Sequence, residues 1–275
     1  MYITQLVVPK QGSTEAECED AVAVFPGYPH DHMVREPFSV GMCDGATESV
    51  LAKDWARMLS LAAAEETMNR PGLLAGGPAF EEFAAAAVDL WEPWLTRYAQ
   101  ERHRDGRPLK WYEHTKLAEG AYATLLTVRV DPGADGAPGQ TESGWHWRAA
   151  ALGDSCLFHL RDDRLAQTFP VTTIEEFGIT PDLFGSRNRD VGLLARRAQF
   201  TEGWSSAGDK LLLMTDALAA WLMSATDQES AIGQLLEFAG PDDLDGFTNW
   251  LNGLRGTREL RNDDVAFLRI DFEGR

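Results

Sequence analysis

The 275-residue chain is poor in cysteine and in positive charge. Its three cysteines, Cys18, Cys43 and Cys156, are far apart, odd in number and without a CxxC pair. That spacing supports neither a disulfide framework nor a zinc cluster, and predicts small buried thiols in a reducing compartment. Lysine and arginine number 25 against 43 aspartates and glutamates, a net charge of -18. A surface with so few cations does not suit nucleic acid or an anionic membrane, so neither is expected as a partner. No apolar run is long enough to span a bilayer, and the opening MYITQLVVPKQG lacks a basic segment followed by a long apolar one. No signal peptide and a cytoplasmic location are therefore expected. No internal repeat is visible. Most of the acid is expected to serve solubility.

What is present is a core-forming chain, 44% hydrophobic, with strands and helices in separate blocks. Strands are predicted over Met1–Val8, Asp20–Phe25 and Phe38–Cys43, the last two as a hairpin. A helix follows, with Thr47 as its N-cap and Glu48 in its first turn. Leu51, Trp55, Met58, Leu59 and Ala62 share one face, and Asn69-Arg70-Pro71-Gly72 stops it. A second helix carries Phe80, Phe83, Ala87, Leu90, Trp91 and Trp94, with a kink or restart at Pro93. Ala121–Val130 and Trp145–Leu152 read as paired strands around a flexible Gly/Pro loop at 131–144. Cys156–Leu160 and Leu165–Phe169 form another hairpin. Residues 170–208 read as irregular. Lys210–Thr215 is a buried strand, three helices follow over Ala217–Ala225, Glu229–Ala239 and Leu244–Leu254, and Val265–Ile270 closes the chain as a strand. This block order predicts an α+β layered fold with mainly antiparallel sheets.

Four aspartates stand at strand ends: Asp20 and Asp263 where strands start, Asp44 and Asp216 where strands finish. In an antiparallel sheet the start of one strand lies beside the end of its neighbour, so these acids can meet at one edge. Singly, each is as well explained as a cap or turn residue. Together, buried like charges repel and call for cations, and hard oxygen donors select Mg²⁺ or Mn²⁺.

At this point the residues resemble a known family, the metal-dependent serine/threonine protein phosphatases (PPM, or type 2C) of bacterial type. Cys18-Glu19-Asp20-Ala21 is similar to the family's Asn-Glu-Asp-Ala block. Val40–Gly45 is similar to its apolar strand ending in Asp-Gly. Gly120–Thr124 resembles its Gly-Thr-rich strand start, and Gly153-Asp154-Ser155 its Gly-Asp-Ser turn. Asp209–Asp216 resembles the strand ending in Thr-Asp-Gly, and Asn262–Ala266 the closing Asp-Asn/Asp strand. The blocks span nearly the whole chain, so a single catalytic domain, 1–275, is expected.

The resemblance implies a four-layer α-β-β-α sandwich with two metals at one edge. Asp44 would bridge them. The Gly45 carbonyl and Asp20 (or Glu19) would complete one, Asp216 and Asp263 the other, and Asp154 would hold a weaker third. It implies hydrolysis of phosphoserine and phosphothreonine by a metal-activated water, with Mn²⁺ or Mg²⁺ as cofactor, a phosphorylated protein as partner and a monomeric state. Asp44, Asp216 and Asp263 would carry the catalysis. Three positions depart from the family pattern: Glu15 replaces a phosphate-binding arginine, Ala46 a histidine, and Ala217 the usual glycine. Lys10, Arg187 and Arg189 are candidate substitutes for that arginine, as are Arg196 and Arg197, and 170–208 is the expected flap. These departures keep open a catalytically weak, phosphatase-like sensor or scaffold.

Overall fold

The computed structural model describes all residues except 29–31, 134–143, 179 and 274–275. In chain order β1 (Tyr2–Val8), β2 (Ala21–Phe25) and β3 (Phe38–Cys43) lead into α1 (Ala52–Asn69). Then come α2 (Pro78–Asp89), α3 (Trp91–Arg104) and α4 (Trp111–Glu119). Next are β4 (Tyr122–Ala123), β5 (Leu125–Pro132), β6 (Trp145–Leu152), β7 (Cys156–Arg161), β8 (Arg164–Phe169) and β9 (Phe184–Gly185). The chain finishes with α5 (Val191–Arg197), β10 (Gln199–Ser205), β11 (Lys210–Met214), α6 (Asp216–Ser224), α7 (Gln228–Leu236), α8 (Leu244–Thr257) and β12 (Val265–Asp271).

Two five-stranded sheets form, ordered β1-β12-β11-β7-β8 and β10-β6-β5-β3-β2, with antiparallel pairing throughout. Their facing sides share one core. Phe38, Val40, Met42, Leu126 and Val128 of one sheet meet Leu211, Leu213, Ala266 and Leu268 of the other. The outer side of the first sheet packs against α6, α7 and α8 through Leu218, Leu222, Ile232, Leu235 and Phe247. The outer side of the second packs against α1, α2 and the start of α3 through Trp55, Leu59, Phe80, Phe83 and Trp91. This is the expected α-β-β-α layering.

Because both faces of these sheets are covered, their inner strands need not alternate apolar with polar. In β11, Leu211 and Leu213 enter the inter-sheet core while Leu212 and Met214 enter the helix layer. Each such fully buried side chain contributes about 1.5–3 kcal/mol. In β3 the outward positions are Ser39, Gly41 and Cys43. A Cβ at Gly41 would lie 2.0 Å from the Ser60 carbonyl oxygen, so α1 can sit this close only over glycine. Gly41→Ala would force the two layers apart.

Several expectations need correction. Thr47 does not cap α1. The cap position is Leu51, in a left-handed conformation (φ 64), and the Thr47 hydroxyl instead donates to Glu19 Oε2 at 2.6 Å. The stretch 121–130 is broken at Thr124, whose backbone is taken by Asp44. Region 170–208 is not irregular: it holds β9, α5 and the edge strand β10, which pairs along β6. Helix α4 was not anticipated. Asp216 opens α6 rather than closing β11. Most of the loop expected at 131–144 lies outside the described residues; at its base Gly133 N donates to Gly144 O at 2.7 Å. Among the described residues no helix is long and apolar enough to cross a membrane.

Candidate metal centre

Register brings the strand-end acids together. Ala21 pairs with Cys43, so Asp20 and Asp44 are the next step off the same ladder. Met214 pairs with Phe267, and Thr215 N bonds Ala266 O at 3.1 Å, which sets Asp216 beside the start of β12 and Asp263 just before it. The two sheets are tied at this end by Thr215. Its hydroxyl accepts from Ala266 N (2.9 Å) and donates to Asp20 Oδ2 (2.8 Å), a fully buried bond across the sandwich.

Asp44 is fixed from the other side. Thr124 N donates to Asp44 O (2.8 Å), and Asp44 N donates to Thr124 Oγ1 (3.1 Å). Thr124 Oγ1 also bonds Ser155 Oγ (2.8 Å), locking the Gly153-Asp154-Ser155 turn to the Asp44 strand. Gly153 has φ +107, and a Cβ there would meet Thr124 Cγ2 at 2.7 Å, so the turn requires glycine. Gly45 N donates to Glu19 O at 3.2 Å.

Asp44, Asp154 and Asp216 open onto one cavity of about 700 Å³, rimmed by Thr47, Tyr122, Phe177, Leu183 and Arg261. Burial dominates the electrostatics. It pushes Asp44 well above the usual carboxylate range, helped by Asp20, Asp216, Asp263 and Asp154. Asp20 is raised likewise by burial and by Asp264, Asp216 and Asp263, against the Thr215 hydrogen bond. Asp154 is pushed up to about 6 by burial and by Asp216. Asp263 is raised by burial, with Arg261 opposing and Asp216 assisting. These acids have been desolvated without matching counter-charge, an arrangement typical of functional sites.

The donor set is oxygen-only and suits a hard divalent cation. One atom points to such a ligand directly: Asp216 Oδ1 is buried and has no hydrogen-bond partner. As they stand, however, no three His, Cys, Asp or Glu side chains among the described residues are gathered tightly enough to hold one ion. Asp216 and Asp263 are gathered on Arg261 instead. Its guanidinium bonds Asp216 Oδ2 and lies 3.0 Å from Asp263 Oδ2.

The other sequence candidates lie elsewhere. Lys10 Nζ pairs with Glu19 at 3.3 Å, and despite burial its ammonium is held charged by Asp264 and Glu19. Arg187 pairs with Glu92 and donates to Ala118 O. Arg196 and Arg197 pair with Asp190 and Asp182. Arg189 is exposed and has no ion-pair partner among the described residues. Glu15 is exposed in a short turn.

The contacts of two residues escaped sequence reasoning. Arg261 is one, although its place two residues before Asp263 was a usable signal. Asp264 is the other: 4% exposed, it accepts from Lys10 N (2.7 Å) and Glu19 N (2.8 Å), anchoring the first acidic block to the last strand. The three cysteines are free and buried, as expected.

No family model matches the sequence, and no curated protein matches it. Solved structures do. A bacterial serine phosphatase aligns over 100% of this chain and 99% of its own at 15% identity, with a TM-score of 0.53. The photosystem II phosphatase PBCP aligns over 99% and 98% at 10% identity, with a TM-score of 0.54. The Mycobacterium tuberculosis serine/threonine phosphatase PstP aligns over all of both chains at 15% identity, with a TM-score of 0.48. From its first strand to its last, the chain has the fold of the PPM-type serine/threonine phosphatases.

Proposed function

We propose that the protein is a metal-dependent phosphatase acting on proteins phosphorylated at serine or threonine. The observation that supports this most is the meeting of two aspartates from each sheet at one end of the sandwich, Asp20 and Asp44 deeply buried among them, with a buried Asp216 oxygen left unpartnered. Asp44, Asp20 and the Gly45 carbonyl, with Glu19 close behind, would hold one cation; Asp216 and Asp263 would hold a second, and Asp154 a weaker third. Bound there, Mn²⁺ or Mg²⁺ supplies Lewis-acid activation of water and neutralises charge on the phosphoryl oxygens.

The chain's own residues do the holding and shaping. Thr215 fixes the Asp20 side chain and Thr124 the Asp44 backbone before any ligand arrives. The cavity rim of Thr47, Tyr122, Phe177 and Leu183 gives a phosphorylated side chain an opening to enter. A phosphocysteine route is closed: burial pushes the Cys18 thiol up to about 12 and raises Cys43 and Cys156 well above their usual range.

The test is hydrolysis of an aryl phosphate and of phosphoserine and phosphothreonine peptides, with Mn²⁺ or Mg²⁺ and then with excess chelator. Turnover that depends on the added cation is expected; turnover unchanged in chelator would sink the proposal.

A second reading, a phosphatase-like sensor or scaffold, is favoured by Arg261 sitting on two of the acids and by Glu15 standing in place of a basic residue. Cation binding without turnover on any phosphopeptide would select it.

A further inference from the structure

Arg261 is the one basic side chain on the wall of the acidic cavity among the described residues. It is held there from the backbone, not by its own head group. Leu260, 3% exposed, anchors the segment in the core, and Arg255 Nη2 donates to Asp263 O at 2.6 Å from behind. The Arg255 guanidinium also reaches Pro9 O at 3.2 Å, fixing the segment to the end of β1. The Arg261 side chain itself is 58% exposed, so it can leave without disturbing that anchor.

Its contacts are those of a counterion. One guanidinium nitrogen, Nη2, reaches two carboxylates at once. It takes one oxygen of Asp216 and one of Asp263. It leaves Asp216 Oδ1 buried and unpartnered. A guanidinium delivers one charge; four clustered aspartates and Asp154 require more. The arginine thus satisfies this half of the site only in part.

We infer that Arg261 is a resident counterion that holds Asp216 and Asp263 together and is displaced when a divalent cation takes them. The inference rests on the proposed cation site. Its consequence is that the Asp216–Asp263 half binds cation more weakly than the Asp20–Asp44 half, because each cation entering there must first break a charge-assisted double contact. Occupancy of the second position becomes the step that responds to cation concentration.

The experiment is Mn²⁺ titration of the full chain by calorimetry, with free Mn²⁺ counted by electron paramagnetic resonance. Wild type, Arg261→Gln and Arg261→Lys are compared, and melting temperature is read with and without Mn²⁺. Arg261→Gln is expected to tighten the weaker Mn²⁺ site by about tenfold while leaving the tighter one unchanged. Without Mn²⁺ it melts lower than wild type, and it gains more from Mn²⁺. Arg261→Lys, which keeps the charge on a shorter side chain, falls between the two and carries the test if Arg261→Gln does not fold. Equal or weaker Mn²⁺ binding in both variants overturns the inference and leaves the phosphatase reading standing. Absence of Mn²⁺ binding in every protein overturns both.

Discussion

Opposite ends of one sheet treat aspartate in opposite ways. At the far end of β5, Asp131 is gripped by two arginines. Arg129 approaches to 2.7 Å and Arg148 to 3.2 Å, and Arg129 also donates to Met68 O at 2.5 Å. Burial works against the Asp131 charge, but the two guanidinium groups outweigh it and hold the carboxyl below its usual range. At the near end, Asp20, Asp44 and Asp154 are buried beside one another, and all are raised. A carboxylate kept for structure arrives with its counterions in the same chain. A carboxylate kept for a ligand is left short of them.

The largest effect that would break this contrast is on activity. Asp44→Asn is expected to cut phosphate-ester hydrolysis by at least about a hundredfold. It should also raise the melting temperature of the cation-free protein, because it removes a buried charge from a like-charged group. A variant that loses both activity and stability would make Asp44 structural. Asp131→Ala should do the reverse. It strands Arg129, whose side chain is 10% exposed, and should cost about 1–3 kcal/mol in denaturant unfolding with turnover intact.

A smaller effect is expected at the tie between the sheets. Thr215→Val leaves both Asp20 Oδ2 and the Ala266 N–H without their partner. About 1–2 kcal/mol of stability should be lost, and Mn²⁺ affinity should weaken as Asp20 loses its fixed orientation. Unchanged Mn²⁺ affinity in this variant would remove Asp20 from the ligand set.

The smallest effect is the pH response, and its sign separates the two ends. Burial and Asp216 push the Asp154 carboxyl up to about 6 in the fold, above its ordinary 3.8, so its ionisation costs stability above that window. The cation-free protein should therefore gain stability as pH falls from about 6 to 4, with Asp20 and Asp44 adding in the same direction. Asp131, lowered in the fold, contributes stability above its ordinary value and loses it only on further acidification. Saturating Mn²⁺ should reverse the slope between 6 and 4, since protons then compete with bound cation. Melting curves across pH, with and without Mn²⁺, read both slopes.

The sheet framework was legible because buried strands are marked by apolar runs such as Leu211-Leu-Leu-Met214 and bounded by Asp-Gly or Gly-Asp. The acids were legible for the same reason: they sit where those runs stop. What stayed hidden lacks such a mark. β10, Gln199-Phe-Thr-Glu-Gly-Trp-Ser205, is an edge strand with much of its surface in solvent, so it shows no apolar run. α4 is short and mostly exposed. Thr47 has the chemistry of a cap, but Glu19 claims its hydroxyl, and nothing local announces that partner. Asp264 acts on residues 10 and 19, and Arg261 reaches back to Asp216, distances over which spacing carries no information; only the nearness of Arg261 to Asp263 left a trace in the sequence.

The position of β12 has a consequence for the order of events on the ribosome. The strand nearest the end of this sequence is not at the sheet's edge but between β1 and β11. Asp264, at its threshold, holds the backbone of residues 10 and 19. A nascent chain that has not yet delivered residue 264 has neither the middle of one sheet nor the clasp on its first acidic block. Such a chain must wait, with β1 unpaired, for synthesis to pass that point.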